Sequence, residues 1–159
     1  MHGDDWAFLA TAPKGWYMSL QSGFPVNAAF FQEAPTEPQV QGKPPTFMYI
    51  TLSRPELGLE TLDQLIAQDE ADFRSSSSDL KVIPQPDVLM GDKKPARVRR
   101  FENTQGGRTE LVAYRVYGKD MYKLVVSAPS PEALTMNTPA FEALLGKFVP
   151  AKFELKSQG

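Results

Sequence analysis

The chain has 159 residues, 42% of them apolar, and its 17 basic and 19 acidic side chains leave a net charge of −2. This length suits one compact domain, and the near balance of charge excludes a general attraction for nucleic acid or anionic membranes. With no cysteine and a single histidine, His2, the chain has no disulfide scaffold and lacks the side chains of most activated nucleophiles and transition-metal sites. We expect neither a metal nor a cofactor.

Short strands separated by turns are predicted in the first third of the chain. Apolar and β-forming side chains predict strands over Asp5–Thr11, Trp16–Met18, Asn27–Gln32 and Thr46–Ser53. The segment Glu33–Pro45 contains four prolines, which remove amide donors and fix φ, so it is predicted to be an exposed, mobile loop.

The period of the apolar residues changes between Leu59 and Arg74, which predicts a helix. Thr61 and Gln64 have the spacing of a capping box at its start. One face is expected to be apolar, formed by Leu62, Leu65, Ile66 and Phe73. The acidic side chains of this helix are expected on its solvated outer face, and their spacing is not that of a calcium-binding loop: Asp63, Asp69, Glu70 and Asp72.

The clearest β region is an antiparallel meander of three strands, over Pro95–Asn103, Thr109–Tyr117 and Met121–Ala128. Glycines in the connections allow the tight hairpin turns. A shorter strand, Leu80–Ile83, is predicted before it and is expected to end at the prolines that follow. The middle strand of the meander is apolar on both faces, so helices rather than water must cover both.

Two helix starts are predicted near the C-terminal end, because Ser130 and Thr138 are each followed by proline. Four apolar side chains after the second start have helical spacing: Phe141, Leu144, Leu145 and Phe148. We expect one domain, Asp5–Val149, followed by a frayed tail, Pro150–Gly159.

These elements predict an α/β protein: an α-β-α sandwich with one mainly antiparallel sheet and helices on both faces. Their order also resembles that of the PsbP-like superfamily. The resemblance is carried by a strand and a turn near the start, a helix, a small-residue turn and a closing helix, which are Trp6-Ala7-Phe8, Pro13-Lys14-Gly15-Trp16, Thr61–Arg74, Gly91–Ala96 and Pro139–Phe148, respectively. Within that superfamily the pattern is most similar to uncharacterised bacterial envelope proteins. The resemblance implies a non-catalytic binding or assembly module and supplies no catalytic residue.

Two pairs of residues are the candidate binding positions. Trp16 and Tyr17 follow a turn and are expected to reach a groove beside the proline-rich loop, with Pro35–Pro45 as a lid. Arg97 and Arg99 belong to a run of five basic residues in eight and project from one face of a strand. That strand is predicted to be a solvated edge, with contact to an anion or an acidic partner as the alternative. His2, as the second residue, is expected to belong to a frayed terminus.

The predicted function is a non-catalytic accessory module of the bacterial cell envelope that binds another envelope protein or a small ligand, and not nucleic acid. The start of the chain has no leader, so the chain is expected either to be periplasmic or secreted after removal of one, or to be cytoplasmic. One alternative is a carboxylate-based hydrolase. Two carboxyls with displaced pKa values in one deep pocket would be evidence for that alternative. The other is a cytosolic chaperone or adaptor with an apolar groove for a partner helix.

Overall fold

The structure is a computed structural model that describes residues 7–19, 28–53, 61–118 and 120–151. His2 and Trp6 lie outside these residues. The elements in chain order are β1 (Ala7–Leu9), β2 (Trp16–Ser19), β3 (Ala28–Gln32), β4 (Phe47–Ser53), α1 (Leu62–Ser76), β5 (Lys81–Leu89), β6 (Pro95–Glu102), β7 (Thr109–Tyr117), β8 (Asp120–Ala128), α2 (Pro131–Lys147) and β9 (Val149–Ala151).

Seven strands form one antiparallel sheet in the order β2-β3-β4-β8-β7-β6-β5. The predicted meander is present as β6, β7 and β8, and β4 joins it to the early strands by pairing with β8. The remaining two strands, β1 and β9, pair with each other as a separate ribbon. The predicted α/β fold with a mainly antiparallel sheet is confirmed.

The two helices cover opposite faces of the sheet, as the apolar character of β7 required. On one face, Leu134, Phe141 and Leu144 of α2 pack in a cluster with Leu111 and Ala113 of β7. On the other face, Leu65 and Ile66 of α1 pack in a second cluster with the alternate β7 residues, Val112 and Tyr114. Successive residues of a strand point to opposite faces, so one buried strand contributes to both cores.

The start of α1 is the predicted capping box. Thr61 Oγ1 accepts a hydrogen bond from the Gln64 amide at 3.1 Å, and Gln64 Oε1 accepts one from the Thr61 amide at 3.1 Å. These two bonds satisfy amides that have no partner within the helix. The helix continues two residues beyond the predicted end, to Ser76.

The prediction of two helix starts near the C-terminal end is wrong, because one helix, α2, spans both. Ser130 is an N-cap, and its Oγ accepts from the Ala133 amide at 3.1 Å. Thr138 is instead inside the helix, where its hydroxyl donates to the Leu134 carbonyl at 2.8 Å, and Pro139 follows it within the helix. The Ser130-Pro131 pair therefore marks a helix start, whereas Thr138-Pro139 lies inside the helix, where the proline removes one amide donor.

Two strand predictions also need correction. Pro84 and Pro86 do not end the strand after α1, since β5 continues through both to Leu89, with an irregular register between Gln85 and Val88. Proline is tolerated there because β5 is at the edge of the sheet, where outward amides need no strand partner. The strand that carries Arg97, which was predicted to be a solvated edge, is an inner strand, because β6 lies between β5 and β7.

The predicted tail begins too early in the chain. Pro150 and Ala151 belong to β9, in which Pro150 pairs with Phe8 and Ala151 with Ala7 of β1. The rest of the predicted tail lies outside the described residues. None of the helices that the structure describes has the length and apolarity to span a membrane.

Candidate functional site

Aromatic side chains line part of the sheet face on which α1 packs, in the region that α1 itself does not cover. Tyr17, Phe31 and Phe47 are direct partners across β2, β3 and β4, with ring centroids 5.8 and 6.5 Å apart. We call these three residues the aromatic row. Phe47 lies opposite Ser127, and Ser127 opposite Glu110, so the row leads to the part of the sheet beside α1.

Two cavities lie along this face. The larger, of about 600 Å³, lies between the sheet, the second half of α1 and the turn before β7, and its lining includes Tyr49, Asp69, Phe73, Glu110 and Lys123. The smaller, of about 390 Å³, is lined by Tyr17, Phe31, Pro35, Pro44 and Pro45, among others. Phe47 and Arg108 line both. We treat the two cavities together as one cleft, of the size that small-ligand sites commonly have.

The proline-rich loop is irregular and largely exposed, as predicted, and a buried carboxylate attaches it to the sheet. Glu37 is 4% exposed. Its Oε1 accepts from the Thr46 amide at 2.9 Å and from Gln32 Nε2 at 2.6 Å, and its Oε2 accepts from the Thr46 hydroxyl at 2.6 Å. Proline content correctly indicated irregular backbone, and Glu37 joins that backbone to the sheet through Thr46 and Gln32.

Two basic side chains hold the end of the same loop. Arg108 donates to the carbonyls of Pro44 at 2.8 Å and Pro45 at 3.3 Å, and to the hydroxyl and carbonyl of Ser127 at 2.7 and 2.8 Å. Its guanidinium also lies 5.0 Å from the centroid of the Phe47 ring. Lys43 donates to the Gly107 carbonyl at 3.0 Å. The boundary between the two cavities is therefore held by hydrogen bonds.

Asp69 is buried against the sheet, so the prediction that all acidic residues of α1 lie on the outer face is wrong. It is 9% exposed and accepts from Lys123 Nζ at 2.7 Å and from the phenol of Tyr114. Burial, followed by the charge of Asp69, raises the pKa of Tyr114 well above its usual value. The helix register contained the signal, because Asp69 follows Leu65 by four residues and Ile66 by three.

Glu110 is the second carboxyl that faces the cleft. It is 8% exposed, and burial raises its pKa; a Thr104 hydrogen bond and the charges of Arg108 and Lys123 partly oppose this, while the charge of Asp69 adds to it. The pKa of Tyr49 is raised by burial and then by both carboxylates. The signal for this residue was that Glu110 is the one charged side chain on the α1 face of β7.

The structure separates Trp16 from Tyr17. Tyr17 is 49% exposed and lines the smaller cavity beside Pro35 and Pro44, which is the groove expected for it. Trp16 is 8% exposed and packs in the α2-side core, so it does not reach that groove. Neighbouring residues of a strand point to opposite faces, and the two could not share one site. A binding role for Tyr17 stays a prediction.

Arg97 and Arg99 project from the same face of β6, as predicted, but they contact α1 and line neither cavity. Arg97 bonds the carboxylate of Asp63, and Arg99 Nε lies 4.0 Å from Glu70 Oε1. Arg100 points to the other face, where its Nε lies 3.3 Å from Glu102 Oε1. Anion binding by Arg97 and Arg99 stays a prediction.

In the described ranges, no group of three or more histidine or acidic side chains is arranged to hold a metal ion.

Comparison with known proteins supports the fold alone. No protein-family model matches this chain, and no curated protein matches it. The solution structure of cyanobacterial PsbP (CyanoP) from Synechocystis sp. PCC 6803 is similar to it, with a TM-score of 0.54 over 94% of this chain and 95% of that one, at 10% sequence identity. The chain therefore has a PsbP-like fold.

Proposed function

We propose that this protein is a non-catalytic binding module whose ligand is a small molecule held in the cleft. The observation that carries the proposal is the pair of cavities that share Phe47 and Arg108, with aromatic walls and a few convergent polar side chains. Ligand sites commonly combine such apolar walls with a small number of orienting polar groups. Arg108 and Glu37 hold the loop at the smaller cavity, so that part of the cleft is formed before a ligand arrives.

Backbone amide chemical shifts test this proposal. A fragment library of mixed charge is titrated into the labelled protein, and saturable shifts are expected at Tyr49, Gly107 and Lys123. Thr51→Trp should abolish these shifts, since Thr51 lines the larger cavity and indole would fill it. Leu89→Trp, at a 59% exposed edge position outside the cleft, is the control that should bind normally. Unchanged binding by Thr51→Trp, or no fragment that shifts the cleft amides, contradicts the proposal.

A second candidate function is a carboxylate-based hydrolase, because Asp69 and Glu110 face one cavity and burial, with a smaller contribution from the charge of Asp69, raises the pKa of Glu110. We favour binding because each oxygen of Asp69 has a partner, Lys123 or Tyr114. A carboxylate held in this way is poorly placed to act as nucleophile or base. Turnover of nitrophenyl esters or glycosides that Glu110→Gln abolishes would support the hydrolase and contradict the binding module.

We also propose a location in the bacterial envelope. The support is the resemblance of the sequence to envelope proteins of this fold. Fractionation of cells that express the native gene tests it: recovery with the periplasmic or secreted fraction is expected, and recovery with the cytoplasm would favour the adaptor alternative. Another envelope protein remains the alternative occupant of the cleft.

A further inference from the structure

Glu110 is a buried carboxyl without a charged partner in contact. It is 8% exposed and lines the larger cavity. Arg108 and Lys123 act on it as nearby charges and Thr104 as a hydrogen-bond donor, but no salt bridge joins it to another residue in the described part of the chain. A buried carboxylate gains much from a paired cation, and a single hydroxyl leaves most of its acceptor capacity unused.

The two cations near Glu110 are engaged elsewhere. Arg108 directs its donors to Ser127 and to the carbonyls of Pro44 and Pro45, which hold the loop in place. Lys123 Nζ is 2.7 Å from Asp69 Oδ1 and forms an ion pair with it. Neither forms a salt bridge with Glu110 in the described part of the chain. An occupant of the cleft that carries a positive group would give the ionised carboxylate such a partner.

The walls of the larger cavity suit a positively charged group with an apolar body. Phe47, Tyr49 and Phe73 all line it. The faces of aromatic rings attract cations, and their apolar surface buries hydrocarbon. The lining contains three acidic side chains, Asp69, Asp72 and Glu110, against two basic ones, Arg108 and Lys123. Asp69 is paired with Lys123, and Arg108 is bound to the loop by four hydrogen bonds but keeps its charge. The lining therefore has one more acidic than basic side chain, which favours a cation over an anion.

We propose that the cleft binds an organic ammonium ion, with the ammonium group against the Glu110 carboxylate and the apolar body against Phe47, Tyr49 and Phe73. This inference rests on the proposed function and names the chemical class of its ligand. The cavity of about 600 Å³ has room for such a molecule. The ammonium supplies a positive charge in contact with Glu110 and hydrogen-bond donors in addition to Thr104.

Three probes of similar shape test the proposal: 2-phenylethylammonium, 2-phenylethanol and phenylacetate. In amide-shift titrations the ammonium compound should bind at the cleft most tightly, the alcohol more weakly and the carboxylate weakest. Glu110→Gln keeps the shape of the side chain and removes its charge, so it should weaken binding of the ammonium by roughly tenfold or more. Glu102→Gln is the matched control, as Glu102 pairs with Arg100 on the other sheet face, and it should bind normally.

The pH dependence in the unmodified protein is a second measurement. The ammonium needs ionised Glu110, so its affinity should rise with pH across the titration of that group, and binding should release protons below it. The other charged or titratable groups of the cleft are Arg108, Lys123, Asp69, Asp72 and Tyr49. Loss of the pH dependence in Glu110→Gln assigns it to Glu110 rather than to these.

The outcomes separate this inference from the proposed function. If the alcohol or phenylacetate binds at the cleft as tightly as the ammonium, or if Glu110→Gln binds the ammonium normally, the ammonium inference is overturned and the binding module stands. If none of the three probes and no fragment of the mixed library shifts the cleft amides, both fail.

Discussion

Tyr114 of β7 donates its phenolic hydroxyl to the carboxylate of Asp69 on α1, and this bond joins the helix to the middle of the sheet. Tyr114 is fully buried, and Lys123 of β8 occupies the other oxygen of the same carboxylate. Asp69 and Lys123 line the larger cavity, so the contact that attaches α1 also contributes to the shape of the candidate binding site.

Removal of the Tyr114 hydroxyl should destabilise the protein. Tyr114→Phe leaves the ring in place but takes one donor from a buried carboxylate, at an expected loss of about 1–3 kcal/mol in the free energy of unfolding. Urea denaturation measures this loss. Tyr17→Phe, at a 49% exposed position, is the control and should change stability by less than about 0.5 kcal/mol. Equal effects of the two substitutions would contradict a stabilising role for the bond.

Glu110 should make stability fall as pH rises. Its pKa is raised in the folded state by burial, so the folded protein holds a proton that the unfolded chain releases, and the resulting stabilisation is lost as pH rises through the folded-state pKa. Glu110→Gln removes this dependence. The stability of the variant relative to the unmodified protein should therefore increase from acidic to neutral pH, as measured by urea denaturation. A constant difference across that range would rule out the raised pKa.

Asp92 and Arg115 should contribute stability with the opposite dependence on pH. Arg115 Nη1 lies 2.9 Å from Asp92 Oδ1 and Nη2 bonds the other oxygen; these bonds hold the pKa of Asp92 below its usual value. The stabilisation is present above the unfolded-state pKa and is lost as pH falls. Asp92→Asn should cost about 1–3 kcal/mol at neutral pH, because the buried guanidinium loses its counter-charge, and less in acid.

The control for that substitution is Asp87→Asn, at an exposed position in β5. It should change the free energy of unfolding by less than about 0.5 kcal/mol at either pH. A cost for Asp92→Asn that stays the same in acid would mean that the pair acts through geometry rather than charge.

Gly91 should not tolerate a side chain. A Cβ there would lie 2.9 Å from Val149 Cγ2 and 3.0 Å from the Phe148 carbonyl oxygen, which already accepts from the Gly91 amide. Gly91→Ala should therefore lower the free energy of unfolding by about 1–3 kcal/mol through displaced backbone. Gly146→Ala, in α2 with open space around the added atom, should instead raise it by up to about 1 kcal/mol. Thermal unfolding of the two variants measures both signs, and a stabilised Gly91→Ala would contradict the close contact.

Removal of the Glu37 carboxylate should release the proline-rich loop. Glu37→Ala leaves the Thr46 amide without its acceptor and Gln32 Nε2 with only the Thr46 carbonyl, at 3.3 Å, at an expected cost of about 1–3 kcal/mol. Hydrogen exchange at the Thr46 amide should become faster, whereas Glu33→Ala, at an exposed position, should leave it unchanged. Exchange at Thr46 that is the same in both variants would mean that another contact holds the loop.

Local patterns were sufficient for most of the elements. The alternation in β7 predicted apolar contacts on both faces, and the two helices confirm it. The capping box of Thr61 and Gln64 likewise forms as predicted, because its bonds lie within one turn. Some predictions failed because a distant contact decided the outcome: Pro84 and Pro86 are tolerated in a strand because that strand is at the edge of the sheet.

The candidate site follows the same division. The alternation of strand residues could have separated Trp16 from Tyr17, and the helical spacing could have placed Asp69 on the inner face of α1. The sequence by itself thus determined the elements and which side of each one is apolar, because those properties depend on neighbours a few residues apart. Only the tertiary structure decided that there is a cleft: Phe47 meets Ser127, and Ser127 meets Glu110, through strand pairing between distant segments. No local interaction specifies such pairing, since it depends on how the whole sheet closes over its two cores.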